Sequence, residues 1–213
     1  QPVYGQPMTQ GVPQQPAQPV VQSSSNAFFM WLWESFKHPS HKQSVQAWWP
    51  IIPLLFNSLL MGLTVYMWQS KAMSAASNFG NSILGSLSDL AGSSYTSHIN
   101  ASVSISEFFK SWILFAVLFY LTVLMCFMGI KMLGDRNTTF AMLHVELAQK
   151  LIPMVALNLV SLLFALIGSG LTALSVSLFF VGYLYVLAVP GAIIAQATNY
   201  RKMDKTWAWI LIM

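Results

Sequence analysis

Charged side chains and polar segments separate three long apolar stretches of this chain that carry no charge. No Asp, Glu, Lys or Arg occurs in residues 48–70, 111–130 or 151–200, and apolar side chains fill most of these positions. A transmembrane helix needs about 20 mainly apolar residues to cross a hydrocarbon core of about 30 Å. The pattern therefore predicts an all-α fold, a polytopic bundle of transmembrane helices.

The longest uncharged stretch is too long for a single crossing. As one continuous helix, residues 151–200 would extend about 75 Å at about 1.5 Å per residue, so the chain must turn back within them. Glycine favours such a turn, and Gly168-Ser-Gly170 provides it. We predict four complete spans, at about 48–68, 107–130, 151–167 and 171–195, and the start of a fifth from residue 206.

Residues 26–38 are predicted to form a short amphipathic helix before the first span. Phe28, Trp31 and Phe36 give this segment its aromatic character, and Pro39 ends it because proline disfavours helical geometry in the preceding residue. A helix of this length cannot span the bilayer, but it can lie among the headgroups with its apolar face in lipid. Docking into a groove of a partner protein is the alternative interpretation of the same face.

A second amphipathic helix is predicted just before the third span. Phe140, Leu143 and Leu147 recur there at helical spacing. We interpret these three side chains as a further face for contact with the membrane interface or with a partner. Together with residues 26–38, they form the predicted contact surface of the protein.

Two polar segments are predicted to be irregular. Residues 1–25 are rich in Gln and Pro and hold few large apolar side chains, so they are predicted to be a disordered tether. Residues 69–106 are rich in Ser, Gly and Asn, and are predicted to form a long surface loop with only a short helical stretch. The transmembrane domain itself is predicted to occupy residues 48–213.

Composition supports the membrane class and narrows the choice of partners. Hydrophobic residues make up 55% of the chain and charged residues 8%, which leaves too little polar surface to cover a soluble globule. The net charge of +4 comes from ten basic residues spread along the chain, without the basic patch that nucleic-acid binding requires. Attraction to the headgroups of a lipid bilayer explains the same charge.

The basic residues also predict the orientation in the membrane. All Lys and Arg residues except Lys71 and Lys110 lie before span one, between spans two and three, or after span four. These segments share one side of the predicted bilayer, and Lys and Arg are retained in cytoplasmic loops. We therefore expect the N-terminus to be cytoplasmic.

The sequence gives no sign of enzymatic chemistry. Membrane hydrolases use paired aspartates, Ser/His or Ser/Lys arrangements or a His-Glu-x-x-His motif, and the sequence has none of these. We predict a protein that is not an enzyme and that has neither a cofactor nor a metal site. The deepest polar side chains in the spans are Asn57 and Asn158, which could bond between helices or line a polar path for a solute.

The order of these parts resembles the Yip-domain (Ypt/Rab-interacting protein-like) superfamily of integral membrane proteins. The resemblance is carried by Phe36-Lys-His-Pro39 at the end of the aromatic helix, then Gly134, Phe140 and Ile152-Pro153 before a tight hairpin. It implies five spans, and in eukaryotic members a link to Rab-type GTPases and vesicle traffic. The Asp-Leu-Tyr-Gly-Pro motif of eukaryotic members is absent, which favours a bacterial member in the cytoplasmic membrane.

These observations lead to one functional expectation and one alternative. The expected function is a non-enzymatic scaffold or membrane organiser, with wedge-like insertion of the two aromatic helices and docking of a cytoplasmic protein partner. The alternative is a transporter or permease-like subunit whose polar path includes Asn57 and Asn158.

Overall fold

The computed structural model describes residues 25–41, 43, 45–92, 99–135 and 137–197, and all regular structure within these ranges is helical. The α-helices in chain order are α1 (Ser25–Lys37), α2 (Ile51–Leu90), α3 (Ile105–Met132), α4 (Phe140–Ile167) and α5 (Thr172–Gln196). In this part of the chain, α2 to α5 are long and apolar enough to cross a membrane. The predicted all-α class with four membrane-crossing helices is confirmed.

The predicted ends of the spans agree best with the observed helix ends for the second and fourth spans. Helices α3 and α5 lie within two residues of the second and fourth predicted spans at each end. The turn predicted at Gly168-Ser-Gly170 is present, with a short 3₁₀ helix at Ser169–Leu171. The predicted tether at 1–25, apart from Ser25, and the predicted start of a fifth span at 206 lie outside the described residues.

The prediction of a long irregular loop after span one is wrong for residues 69–90. Helix α2 continues through them and is 40 residues long, or about 60 Å at about 1.5 Å per residue. Serine hydroxyls along this extension donate to carbonyls one turn earlier, as Ser74 does to Ser70 at 2.9 Å and Ser86 to Ser82 at 3.0 Å. The returning chain is fixed to the same helix, because Asn81 exchanges two hydrogen bonds with the Ile99 backbone.

The second amphipathic helix and the third span are one helix. The Thr139 hydroxyl accepts a hydrogen bond from the Met142 amide at 3.2 Å and starts α4. The helix then runs through Pro153 to Ile167 without a break. Proline is tolerated inside membrane helices because neighbouring groups compensate the lost backbone bond, so the predicted boundary near residue 151 does not exist.

Helix α4 lies at the centre of the bundle. It packs against α1, α2, α3 and α5, while α2 also packs against α3. The buried core joins side chains from the four long helices, including Met61, Phe119, Val123, Leu147, Met154, Phe179 and Ile194. Because α4 has neighbours on several sides, most of residues 143–154 are buried, whereas its first turn is exposed.

Helices α2 and α3 approach each other most closely at Gly62. A Cβ atom placed on Gly62 would lie 2.8 Å from the backbone nitrogen of Trp112 and 2.9 Å from its Cα. Backbone atoms of a packed helix cannot move aside as a flexible side chain can. Gly62 therefore allows the two backbones to come together, as small residues do at helix interfaces in membranes.

The turn between α3 and α4 is closed by Asp135. Its carboxylate accepts hydrogen bonds from the Asn137 amide at 2.9 Å, and from the Thr138 amide at 3.2 Å and hydroxyl at 2.7 Å. The Lys131 ammonium donates to the Thr138 carbonyl at 2.7 Å and to the Asp135 carbonyl at 3.1 Å. The hydrogen bond from the Thr138 side chain is the main cause that lowers the pKa of Asp135.

Replacing Gly62 tests the close contact between α2 and α3. We expect Gly62→Ala to lower the free energy of unfolding by about 1–3 kcal/mol, because overpacking forces the two backbones apart. Gly85→Ala is the matched control, since it makes the same change in the same helix with no atom within 4 Å of the new Cβ. Thermal unfolding in detergent measures both, and equal stability of the two variants would refute the close contact.

Asp135 predicts a pH-dependent contribution to stability. A carboxyl group whose pKa is lowered by folding stabilises the fold above its ordinary pKa of about 3.9, and this contribution is lost as the pH falls through the folded value. Asp135→Asn should be less stable than the parent at pH 7, and the difference should shrink as the pH falls below about 3.9. Thermal unfolding between pH 7 and pH 3 checks this, and a difference that stays constant over the range would contradict it.

Candidate functional site

The two asparagines predicted from the sequence meet in the core of the bundle. Asn57 on α2 and Asn158 on α4 are 0% and 1% exposed. The Asn158 side-chain amide donates to the Asn57 carbonyl oxygen at 3.0 Å, and the Asn57 amide donates to the Leu151 carbonyl at 3.3 Å. The structure thus brings both residues together as a polar tie between α2 and α4.

A second polar tie joins α4, α5 and α2. The hydroxyls of Ser161 and Ser175 each donate to the other residue's backbone carbonyl, at 2.8 and 2.7 Å. The Trp68 indole N–H then donates to the Ser175 hydroxyl at 3.0 Å. Sequence analysis did not identify these residues, although an uncharged serine in the middle of an apolar span is itself a signal of bonding between helices.

Helix α1 is held on the bundle by an aromatic contact. Trp31 on α1, Trp49 before α2 and Ile152 on α4 form one buried cluster. The ring centroids of Trp31 and Trp49 are 5.8 Å apart, and Phe28 meets Trp49 edge-on at 5.6 Å. Aromatic pairs in such geometry are worth about 0.5–1.5 kcal/mol beyond the area they bury. Phe28 and Trp31 therefore fix α1 to the first turn of α2 and the middle of α4.

The opposite side of α1 is exposed and equally apolar. We call this surface the outer face, and it consists of Phe29, Met30, Trp33 and Phe36, which are 66%, 71%, 60% and 42% exposed. The rings of Trp33 and Phe36 are stacked with centroids 6.1 Å apart. The Lys37 ammonium lies 4.9 Å from the Trp33 ring centroid, within the range of a cation–π contact.

The predicted contact residues divide between the core and the surface. Phe36 lies on the outer face, and Phe140 is 40% exposed and packs edge-on against Phe127. Leu143 and Leu147 are buried in the bundle core at 1% and 0% exposure, and Trp31 is 3% exposed. The prediction of a membrane or partner contact is corrected for these three buried residues.

Phe29, Met30 and Trp33 are the surface residues that sequence reasoning did not select. A signal for them was present, because Phe29, Trp33 and Phe36 recur at i, i+4 and i+7 and so share one side of a helix. The aromatic residues of α1 fall on both of its sides. Periodicity alone could not tell which side meets the bundle.

Comparison with known protein families assigns nearly the whole chain. A family model described as a domain of unknown function, DUF6574, matches residues 18–213. The chain belongs to the DUF6574 family. No curated protein and no solved structure matches it. The family description names no activity, and the resemblance to the Yip-domain superfamily stays a prediction.

Metal binding has no support in the described part of this DUF6574 chain. Within those ranges, no group of three or more His, Cys, Asp or Glu side chains is placed to hold a metal ion. Cys126 is buried in α3, where its thiol lies 4.0 Å from the Pro190 carbonyl oxygen. The features of this DUF6574 protein that suggest a function are therefore the outer face of α1 and the asparagine pair.

A double-mutant cycle on the asparagine pair tests its role in stability. Asn57→Leu and Asn158→Leu should each destabilise the DUF6574 bundle, because each leaves a buried amide without its partner. The double variant should lose less free energy of unfolding than the two single variants lose together. The expected coupling energy is about 0.6–1.7 kcal/mol, the range for hydrogen bonds between membrane helices. Unfolding in mixed detergent micelles measures all four proteins, and strictly additive losses would show that the two side chains do not interact.

Proposed function

We propose that this DUF6574 protein is a non-enzymatic scaffold or membrane organiser that acts through lipid and protein contacts. The observation that carries the proposal is the outer face of α1, an exposed aromatic surface fixed in place by a buried aromatic cluster. Exposed apolar patches rimmed by polar groups are typical of interaction sites for membranes or proteins.

The position of α1 supports a contact with lipid. Trp31 packs on Trp49, which immediately precedes the first long apolar helix. Tryptophan is enriched where a membrane helix meets the headgroup region. A helix held at that level directs Phe29 and Trp33 towards the boundary between headgroups and acyl chains, where amphipathic helices insert.

The composition of the outer face also suits a protein partner. Aromatic residues, Met and Arg are enriched at the centres of protein interfaces, and the outer face combines three aromatic rings with Met30. In the proposed arrangement, the same surface or its polar rim receives a protein partner from the side of the membrane on which α1 lies.

The placement in the cell follows from the basic residues. Lys37, Lys131 and Lys150 lie in or next to α1, the α3–α4 turn and the first half of α4, and such residues mark the cytoplasmic side. The proposal therefore places the N-terminus in the cytoplasm. The resemblance to the Yip-domain superfamily adds the bacterial cytoplasmic membrane as the expected location.

Spin labels on α1 test whether the outer face lies in lipid. In a Cys126→Ala background, Phe29→Cys and Trp33→Cys each place one nitroxide on the outer face of the full chain in nanodiscs. The expected result is strong relaxation by oxygen, which concentrates in hydrocarbon, and weak relaxation by a water-soluble nickel complex. Electron paramagnetic resonance power saturation measures both.

A matched position on α2 separates lipid contact from simple exposure. Phe79 is 70% exposed on the extension of α2, where the proposal expects water. The label at Phe79→Cys should relax strongly with nickel and weakly with oxygen. If the labels at Phe29 and Trp33 behave like the one at Phe79, the lipid contact is refuted.

The transporter alternative has weaker support in the core. Asn57 and Asn158 use their hydrogen-bonding groups mainly on each other and on the backbone, as structural ties do. Among the described residues, the Asn158 side-chain oxygen is a buried acceptor without a partner, and this is the one observation that favours a polar path. Solute flux into liposomes that contain only this protein would support the alternative.

A further inference from the structure

A cleft lies at the end of α1, beside the outer face. Its volume is about 520 Å³ and it is lined by Glu34, Lys37, His38, Pro39, Ser40 and His41. The side chains of Lys37, His38 and His41 are exposed. The cleft therefore presents one ammonium and two imidazole groups on the same side of the bundle as the aromatic surface.

Backbone hydrogen bonds shape this cleft. The His38 amide donates to the Glu34 carbonyl at 2.8 Å and completes the last helical bond of α1. Pro39 then turns the chain out of the helix, and the His41 amide donates back to the His38 carbonyl at 3.0 Å. This turn places His38 and His41, which have two residues between them, along the same cleft.

The hydrogen-bond donors in the cleft suit an anion. Glu34 is the one carboxylate among the lining residues, and its oxygen lies 3.8 Å from the His38 Nε2 atom. The charges of Lys37 and Glu34 balance, so the preference for an anion rests on the donors of the Lys37 ammonium and the two imidazoles. The carbonyl end of a helix disfavours anions, so the affinity must come from these side chains and should depend strongly on Lys37.

Lys37 also connects the cleft to the apolar surface. Its ammonium group lines the cleft and lies 4.9 Å from the ring centroid of Trp33. Trp33 in turn stacks on Phe36. A positive charge directly beside a pair of exposed rings matches a molecule whose anionic group adjoins a hydrocarbon part.

We propose that the cleft binds the phosphate of an anionic phospholipid headgroup, while Trp33 and Phe36 contact the start of the acyl chains. Lys37 would pair with the phosphate, and His38 and His41 would donate hydrogen bonds to it. This inference rests on the proposed function, because it requires the outer face of α1 to lie at the lipid surface. The cleft would give the lipid contact of α1 a preference for anionic headgroups.

Lipid selectivity of the intact protein tests the proposal. The full chain is placed in nanodiscs made from equal parts of phosphatidylglycerol and phosphatidylcholine, extracted into mild detergent, and its retained lipids are counted by native mass spectrometry. The parent protein should retain more phosphatidylglycerol than phosphatidylcholine. Lys37→Gln should reduce that preference about fivefold, the effect expected for one basic residue near an anionic surface, and His38→Gln/His41→Gln should reduce it further.

Two control variants keep the test specific. Lys110→Gln removes an exposed lysine from the start of α3 and should leave the preference unchanged, because Lys110 is paired with Glu107 at 2.6 Å and does not line the cleft. Glu34→Gln should strengthen the preference, because it removes the carboxylate from the cleft. An equal loss in Lys37→Gln and Lys110→Gln would overturn the proposal, since it would show only a general effect of net charge.

Two further measurements distinguish lipid phosphate from free phosphate, and the headgroup site from the lipid contact of the outer face. Inorganic phosphate at millimolar concentration should not displace phosphatidylglycerol, and displacement would identify a site for free phosphate instead of lipid. If Trp33→Cys still reports contact with hydrocarbon while the parent and Lys37→Gln retain the same lipids, the headgroup site is refuted and the proposed function survives. If the Trp33 label lies in water, the proposed lipid contact of the outer face fails, and the headgroup site fails with it.

Discussion

The outward-facing apolar side chains of the long helices constrain everything else in this structure. Ile113 and Val117 on α3 and Leu184 on α5 are each more than half exposed, and apolar surfaces that run along helices of this length suit the hydrocarbon of a bilayer. Hydrocarbon offers no partner to backbone amides and carbonyls, so each span must satisfy its own as an α-helix. The all-helical architecture follows from that solvent.

The same solvent changes what holds the helices together. Lipid tails are as apolar as the side chains, so the hydrophobic effect gives little drive for association between spans. The bundle instead uses close backbone approach at Gly62 and hydrogen bonds through Asn57, Asn158, Ser161 and Ser175. Helices α2 and α4 take part in both polar ties, and α4, which packs against every other long helix, carries five of the ten buried polar side chains among the described residues.

Helix α1 differs from the spans because it has two apolar sides, of which the described residues cover only one. Trp31 uses one side to fix the helix against Trp49 and Ile152. The other side is exposed. Glu34 and Lys37 lie towards the end of α1, so one short helix holds an apolar face beside a polar cleft.

The sequence predicted the spans well because charge is excluded from hydrocarbon and glycine favours turns, and the ends of α3 and the start of α5 follow from these two rules. It failed for residues 69–90, where Ser, Asn and Gly have weak helix propensity and where Asn81 holds Ile99 against the helix. Leu143 and Leu147 were assigned to a surface because amphipathic spacing does not reveal how many helices surround an element. Asn57 and Asn158 were recognised as important, but their pairing depends on the packing of α2 on α4.

Extraction of cell membranes with alkaline carbonate tests the central claim that lipid is the solvent of this bundle. Carbonate at high pH strips proteins that are attached only to the membrane surface and leaves those that cross the bilayer in the pellet. The account predicts that the protein stays in the membrane pellet and is released only by detergent. Recovery in the supernatant, as a monodisperse species without detergent, would contradict it.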